Sequence, residues 1–318
     1  VSIAVCLLLY STVVLVFGPR CLPLLTRAGH TPHLAITAWL AAIASVLATW
    51  LAATVLIVID VARQWDSPAL VLAACITSLH AVAAGDAGIA AQAALLALAT
   101  AISAAAAALG VRLARTLIGL RGTAHEHARA VHIVGRHTGA AGDVMVLQAQ
   151  EPAAYCVAGR PSAIVLTTAA LAALDDQQIA AVLAHERAHL AGHHPQLVTA
   201  LRALATVLPR VRLMTDGHTE VSGLLEMCAD DAAVRQHGRS ALLEGLMNLA
   251  GAASTPAWAL GAAHVAVLNR AERLVASPPT LVARARAATA LAITLTLIAA
   301  GPLITAALAA SGALLCSP

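Results

Sequence analysis

Apolar residues run along this chain in long blocks, and polar positions return mainly in one stretch between the third block and the last. Four blocks approach or exceed the roughly 20 residues a helix needs to cross a bilayer. They are Val1–Phe17, Leu34–Ile59, Ala87–Val111 and Ala287–Ala310. The first stops at Gly18-Pro19, and the last contains Pro302, which membrane helices tolerate as a kink. A fifth apolar run, 69–84, is shorter and lies between Asp66 and Asp86. Hydropathy leaves it open as a span, a re-entrant piece or an interfacial helix, and its His80 has no evident partner. In the polar stretch, a helix-like segment (Ala124–Thr138) precedes β-type runs at Val144–Gln148, Ala154–Ala158 and Ala163–Thr167. Helical patterns follow. The expected fold is an α-helical membrane protein of about four spans with an inserted α+β domain. Residues 1–111 would form the membrane region, 112–286 the inserted domain and 287–318 the last span with a short tail.

Composition supports the membrane expectation. Of 318 residues, 60% are hydrophobic and 11% charged, and the mean hydropathy of +0.82 excludes an ordinary soluble domain. A net charge of +3 without a clustered basic face argues against direct nucleic-acid binding. Six single cysteines form neither a thiolate metal cluster nor a disulfide scaffold. The N-terminus lacks a basic leader region and reads as a retained span instead of a removed signal. Sixteen of the nineteen arginines lie in 112–286, two follow the first span, and only Arg63 lies between the second and third. The positive-inside rule then places a multi-pass protein in the cell membrane, its N-terminus outside and its polar domain in the cytoplasm. A span at 69–84 would separate Arg20 and Arg27 from the Arg112–Arg121 cluster, which favours four spans.

The candidate chemistry sits on a helix expected over Gln177–Ala191, capped by Asp175 with Gln178 three residues on and stopped at Gly192. His185 and His189 are four apart and project from one face. Two imidazoles so spaced can take two positions of a tetrahedral zinc, and Glu186 can take a proton from the water that such an ion acidifies. A catalytic site needs a third protein ligand. A histidine six residues after the second would be position 195, which is Pro195, and His193 and His194 are out of register. A carboxylate from a later helix is the other option, and Glu226 offers one 37 positions after His189. Asp230, one helical turn on, would orient a ligand histidine through its ring N–H. The expected site is therefore one zinc ion on His185, His189 and Glu226, with Glu186 as general base. His237 and Arg235 are candidate donors to a developing oxyanion, although an exposed or structural role is the plainer reading of each. His193 and His194 are expected at the end of the catalytic helix, where positive charge suits the dipole. Tyr155 and the strand near Ala163–Leu166 are an expected edge for an extended peptide.

With these residues in place, V-L-A-H-E-R-A-H-L-A-G-H-H-P followed by L-L-E-M-C-A-D-D-A-A resembles the BlaR/MecR-like membrane metallopeptidases. These are gluzincins related to the HtpX and CAAX prenyl protease families. Three spans, a cytoplasmic zincin-type protease domain and a fourth span fit that resemblance. It implies regulated proteolysis, with a BlaI-like winged-helix transcriptional repressor as the substrate suggested by analogy. The chain is expected to lack the penicillin-binding sensor domain that resistance transducers carry after the last span. Two other functions stay open: an HtpX-like quality-control protease, and a non-catalytic membrane receptor or scaffold with a structural metal. A homo-oligomer is left open as well.

Overall fold

A computed structural model describes residues 3–63, 88–138, 143–252, 270–277 and 279–310. The 69–84 segment and His80 lie outside the described residues. Among the described residues, thirteen elements follow in order. Helices α1 (Ile3–Thr26), α2 (Pro32–Arg63) and α3 (Gly88–Val134) come first. Strands β1 (Arg136–Thr138), β2 (Val144–Leu147), β3 (Ala154–Val157) and β4 (Ala163–Thr167) come next. They lead into α4 (Thr168–Ala173), α5 (Asp176–Ala191), α6 (His194–Val207), α7 (Arg212–His237), α8 (Arg239–Ala252) and α9 (Leu281–Ala310).

Four helices, α1, α2, α3 and α9, contain stretches long and apolar enough to cross a membrane. The Gly18-Pro19 pair does not end α1, which runs on through Pro19 and Pro23 to Thr26. Its last two turns are held by packing: Leu22 is buried in a core shared with α2, α6, α7 and α9. The third block and the helix-like segment from Ala124 belong to one helix, which ends at Val134, short of the expected Thr138. Ala, Leu and Arg are strong helix formers, and no proline interrupts 88–134, so α3 runs unbroken for 47 residues. That makes it about 70 Å long, more than twice a hydrocarbon core.

The sheet has the order β1-β2-β4-β3, with β2 and β4 parallel and the outer pairs antiparallel. All five residues of β4 are buried, as suits a central strand. The strand near Ala163 is therefore not an edge; β3, with Tyr155, is. Val131 and Ala128 of α3 close over one face of the sheet with Met145 and Val165. The larger core joins the apolar helices to the rest of the chain. Trp39, Ile43 and Val46 of α2 are buried against Met214, Val221 and Leu225 of α7. Gly217 lets the two helices approach, since a Cβ there would stand 2.8 Å from Ile43 Cδ1.

Candidate metal centre

The helix α5 is pinned at both ends. Asp175 Oδ1 accepts from the Gln178 amide at 2.8 Å, and Gln178 Oε1 accepts from the Asp175 amide at 3.3 Å, completing a capping box. Gly192 closes the helix, its N–H donating to the Ala188 carbonyl. Between these ends, the 3.6-residue period turns His185, Glu186 and His189 inward, and all three are buried.

The long helix α7 crosses α5 and brings Glu226 to the same point. His185 Nε2 and His189 Nε2 are 3.1 Å apart, and the two Glu226 oxygens lie 3.4 and 3.3 Å from them. Three ligand atoms, one per side chain, fall within 4.8 Å of one another. Two imidazole nitrogens and a carboxylate are a donor set suited to a zinc-type ion, with one tetrahedral position left over. The residues present fit such a metal.

Both histidines are held from behind. His185 Nδ1 is 3.1 Å from Asp230 Oδ1, though off the line of a well-aligned hydrogen bond. His189 Nδ1 is 3.0 Å from His194 Nδ1. Burial, with the nearby His189, pulls His194 down to about 4, so its ring is neutral at pH 7. With a metal bound, a neutral His194 would accept the His189 Nδ1–H and leave Nε2 of His189 to face the ion. This differs from the expectation of a charged His194 serving the helix dipole. The chain turns sharply at His193, in the left-handed region at φ 53°, and folds the His194 ring over Gly192. A Cβ on Gly192 would lie 2.3 Å from His194 Nε2.

Electrostatics bind the cluster together. Burial alone would raise the Glu226 carboxyl, but hydrogen bonds from His185 and His189 and the charge of Arg270 hold it well below the carboxylate range. Burial opposes protonation of His185, yet Asp230 and Glu226 outweigh it and lift this ring to about 9 in the metal-free site. For Glu186, burial outweighs the charges of His185 and His189 and the Cys156 contact, so its carboxyl is pushed up, the direction a general base needs. Cys156 of β3 contacts Glu186; burial and that carboxylate push its thiol up to about 12, so it stays neutral.

A cavity of about 450 Å³ opens over these groups, lined by Tyr155 and Cys156 of the edge strand as well as His194, Glu226 and Arg270. Arg270 was not foreseen. Its guanidinium grips Asp230 through Nε at 3.0 Å and Nη2 at 2.6 Å, and reaches Glu226 Oε2 at 3.1 Å. Nothing in its spacing, 44 positions after Glu226, marks it in the sequence. The His193-His194 pair was visible as ligands out of register and as charges at the helix end, not as support for His189. His237 and Arg235, the expected oxyanion donors, are exposed on the last turn of α7 and do not line this cavity.

No curated protein and no solved structure matches the chain. Residues 120–292, which include every residue of the cluster, match the sequence profile of peptidase family M48. Because that stretch is more than half of the chain, the protein belongs to the M48 peptidases and is by family a peptide-bond hydrolase.

Proposed function

We propose that the protein is a membrane-anchored zinc endopeptidase that cuts a protein at the inner face of the membrane as a regulatory step. The observation that carries this reading is the meeting of His185, His189 and Glu226 in a cavity that also holds Glu186 and an edge strand. A bound zinc would supply Lewis acidity at the scissile carbonyl and acidify a water. Glu186 then takes the proton of the attacking water and returns it to the leaving amine. Asp230 and His194 orient the two imidazoles, and Arg270 fixes Glu226 and Asp230 together. β3 offers its free edge to an extended substrate, whose backbone would add to the sheet beside Tyr155.

The anchoring part of the proposal is supported by the four apolar helices and by their outward faces. Leu9, Val13 and Phe17 of α1 and Leu297 and Leu303 of α9 are exposed. The distribution of arginines supports a cytoplasmic site. A winged-helix repressor remains the proposed substrate by resemblance alone.

Glu186→Gln should abolish cleavage while metal analysis still finds one ion per chain, whereas His185→Ala should lose both. Wild-type cleavage by purified Glu186→Gln protein would sink the mechanism. Comparing membrane and cytosolic proteomes of wild type and Glu186→Gln tests the regulatory role: one accumulating target supports it, and a broad set of misfolded membrane proteins overturns it.

A further inference from the structure

A second cavity, of about 840 Å³, lies where the turn after α1, the end of α7, the start of α8, the 270–277 segment and the start of α9 meet. It is larger than the one over the metal cluster. Arg27, Arg235, Arg239, Arg273 and Arg284 line it together with His30. Among the described residues, the carboxylates of Asp231 and Glu272 line it with these five guanidinium groups, and the charge of Glu220 reaches Arg27.

Two of the arginines build the wall. Arg273 holds Asp231 at 2.9 and 3.0 Å and reaches the Gly29 carbonyl at 3.4 Å. Arg239 donates to the carbonyls of Leu274 and Ala276 at 3.3 and 2.8 Å. Gly29 has φ +57°, and a Cβ there would fall 2.7 Å from Met227 Sδ, so the turn after α1 presses directly on α7. The other three, Arg27, Arg235 and Arg284, are exposed and make no side-chain hydrogen bond or ion pair with the described residues. Guanidinium groups stay charged at all relevant pH, and their flat forks match phosphate oxygens two at a time. Three of them around one cavity repel each other until an anion sits between them.

The place of the cavity in the fold narrows the anion. Tyr10 of α1 donates to the Ile298 carbonyl of α9 at 2.8 Å. From that contact, α1 runs forward to Thr26 and α9 runs back to Leu281 over nearly equal lengths, so both apolar helices end level at the cavity. Toward the apolar spans from the arginines, Leu24 of α1 and Ile293 of α9 are 72% and 57% exposed. A small dissolved anion gains nothing from apolar flanks, whereas an amphiphile with a charged head matches both surfaces. Basic pockets between spans on the cytoplasmic side suit anionic headgroups.

We propose that this cavity binds the phosphate headgroup of an anionic phospholipid, with the acyl chains lying toward the spans along Leu24 and Ile293. The proposal rests on the membrane placement argued above. Native mass spectrometry of the full chain, purified in detergent and supplied with phosphatidylglycerol or phosphatidylcholine, tests it. Phosphatidylglycerol should bind selectively, and Arg27→Gln with Arg284→Gln should weaken it about tenfold or more, the effect of losing two charge-assisted phosphate contacts. Arg27→Lys with Arg284→Lys, which keeps charge but not the fork, should recover part of the binding. Arg112→Gln with Arg115→Gln, an equal charge loss on exposed α3, should leave it unchanged. Equal binding of the two lipids, or undiminished binding in the Arg27/Arg284 glutamine variant, overturns the proposal. So does inorganic phosphate binding as tightly as the lipid with the same arginine dependence, which would make the ligand a soluble anion. Alkaline carbonate extraction of vesicles carrying the chain judges the membrane placement separately. A chain released by carbonate overturns that placement and the lipid assignment with it, while the phosphate titration still decides whether the arginines bind an anion.

Discussion

His194 stands behind His189, its ring 3.0 Å away and neutral, and its removal isolates the value of orientation from that of ligation. His194→Ala should weaken metal binding roughly 10- to 100-fold, as loss of such supporting partners does, with the helical circular dichroism unchanged. Competition against a graded chelator measures it, and an unaltered affinity would show that His194 does not position the ligand. Arg270 is a different case. Asp230 is fully buried and Arg270 supplies its bidentate partner. Arg270→Ala leaves that carboxylate facing His185 without its bidentate partner and should cost up to about 3–5 kcal/mol of stability, seen as a lowered thermal midpoint of the purified chain. Arg270→Lys should rescue little, because an ammonium cannot span both oxygens. These two residues also mark the limit of what the sequence disclosed. His185, His189, Glu226 and Asp230 follow from helical arithmetic, four residues making about one turn. Arg270, His194 and Cys156 arrive by tertiary packing and by one left-handed residue, for which no spacing rule exists.

Between elements, the catalytic helix is tied to the sheet by an ion pair on its outer side. Arg187 Nε lies 2.9 Å from Asp143 Oδ2, just before β2, and the Asp143 carbonyl accepts from Ile164 of β4. The Arg187 hydrogen bond holds the Asp143 carboxyl below its ordinary 3.8. A depressed carboxylate stabilises the fold above that ordinary value, and the contribution fades as pH falls through the lower folded value. Because both partners are largely solvent-exposed, Asp143→Asn should cost only about 0.2–1 kcal/mol at pH 7. The difference from wild type should shrink as pH falls through that lowered value and vanish below it. A gap that persists in acid would assign the cost to something other than the ion pair. The strands β2, β3 and β4 were legible almost to the residue, since each is a short apolar run between turn residues. β1 was not: its Arg-His-Thr is exposed throughout and pairs only because β2 lies beside it. The overrun of α1 past Gly18-Pro19 has the same origin, a core contact at Leu22 that outweighs a local breaker.

At the scale of the whole molecule, the boundary expected near residue 112 divides α3, and that at 286 divides α9. Half of the core around α7 belongs to α1, α2 and α9, through Leu22, Trp39, Ile43, Val46 and Leu291. A fragment of residues 112–286 would expose the α7 face that carries Met214, Val221 and Leu225, an apolar surface that promotes aggregation. Expressed alone, that fragment should be insoluble or lack a cooperative thermal transition. A soluble fragment with full peptidase activity would show that the helices are separable handles.

The same α2–α7 contact imposes a schedule on the newborn chain. Ribosomes deliver α2 long before α7, and a helix such as α7 settles only on a partner already in place. Trp39 and Ile43 are synthesised before Gly217, and so before the helix that carries Glu226 to the two histidines. In the proposed membrane setting, the surface on which α7 packs belongs to an inserted span, which would tie assembly of the site to insertion.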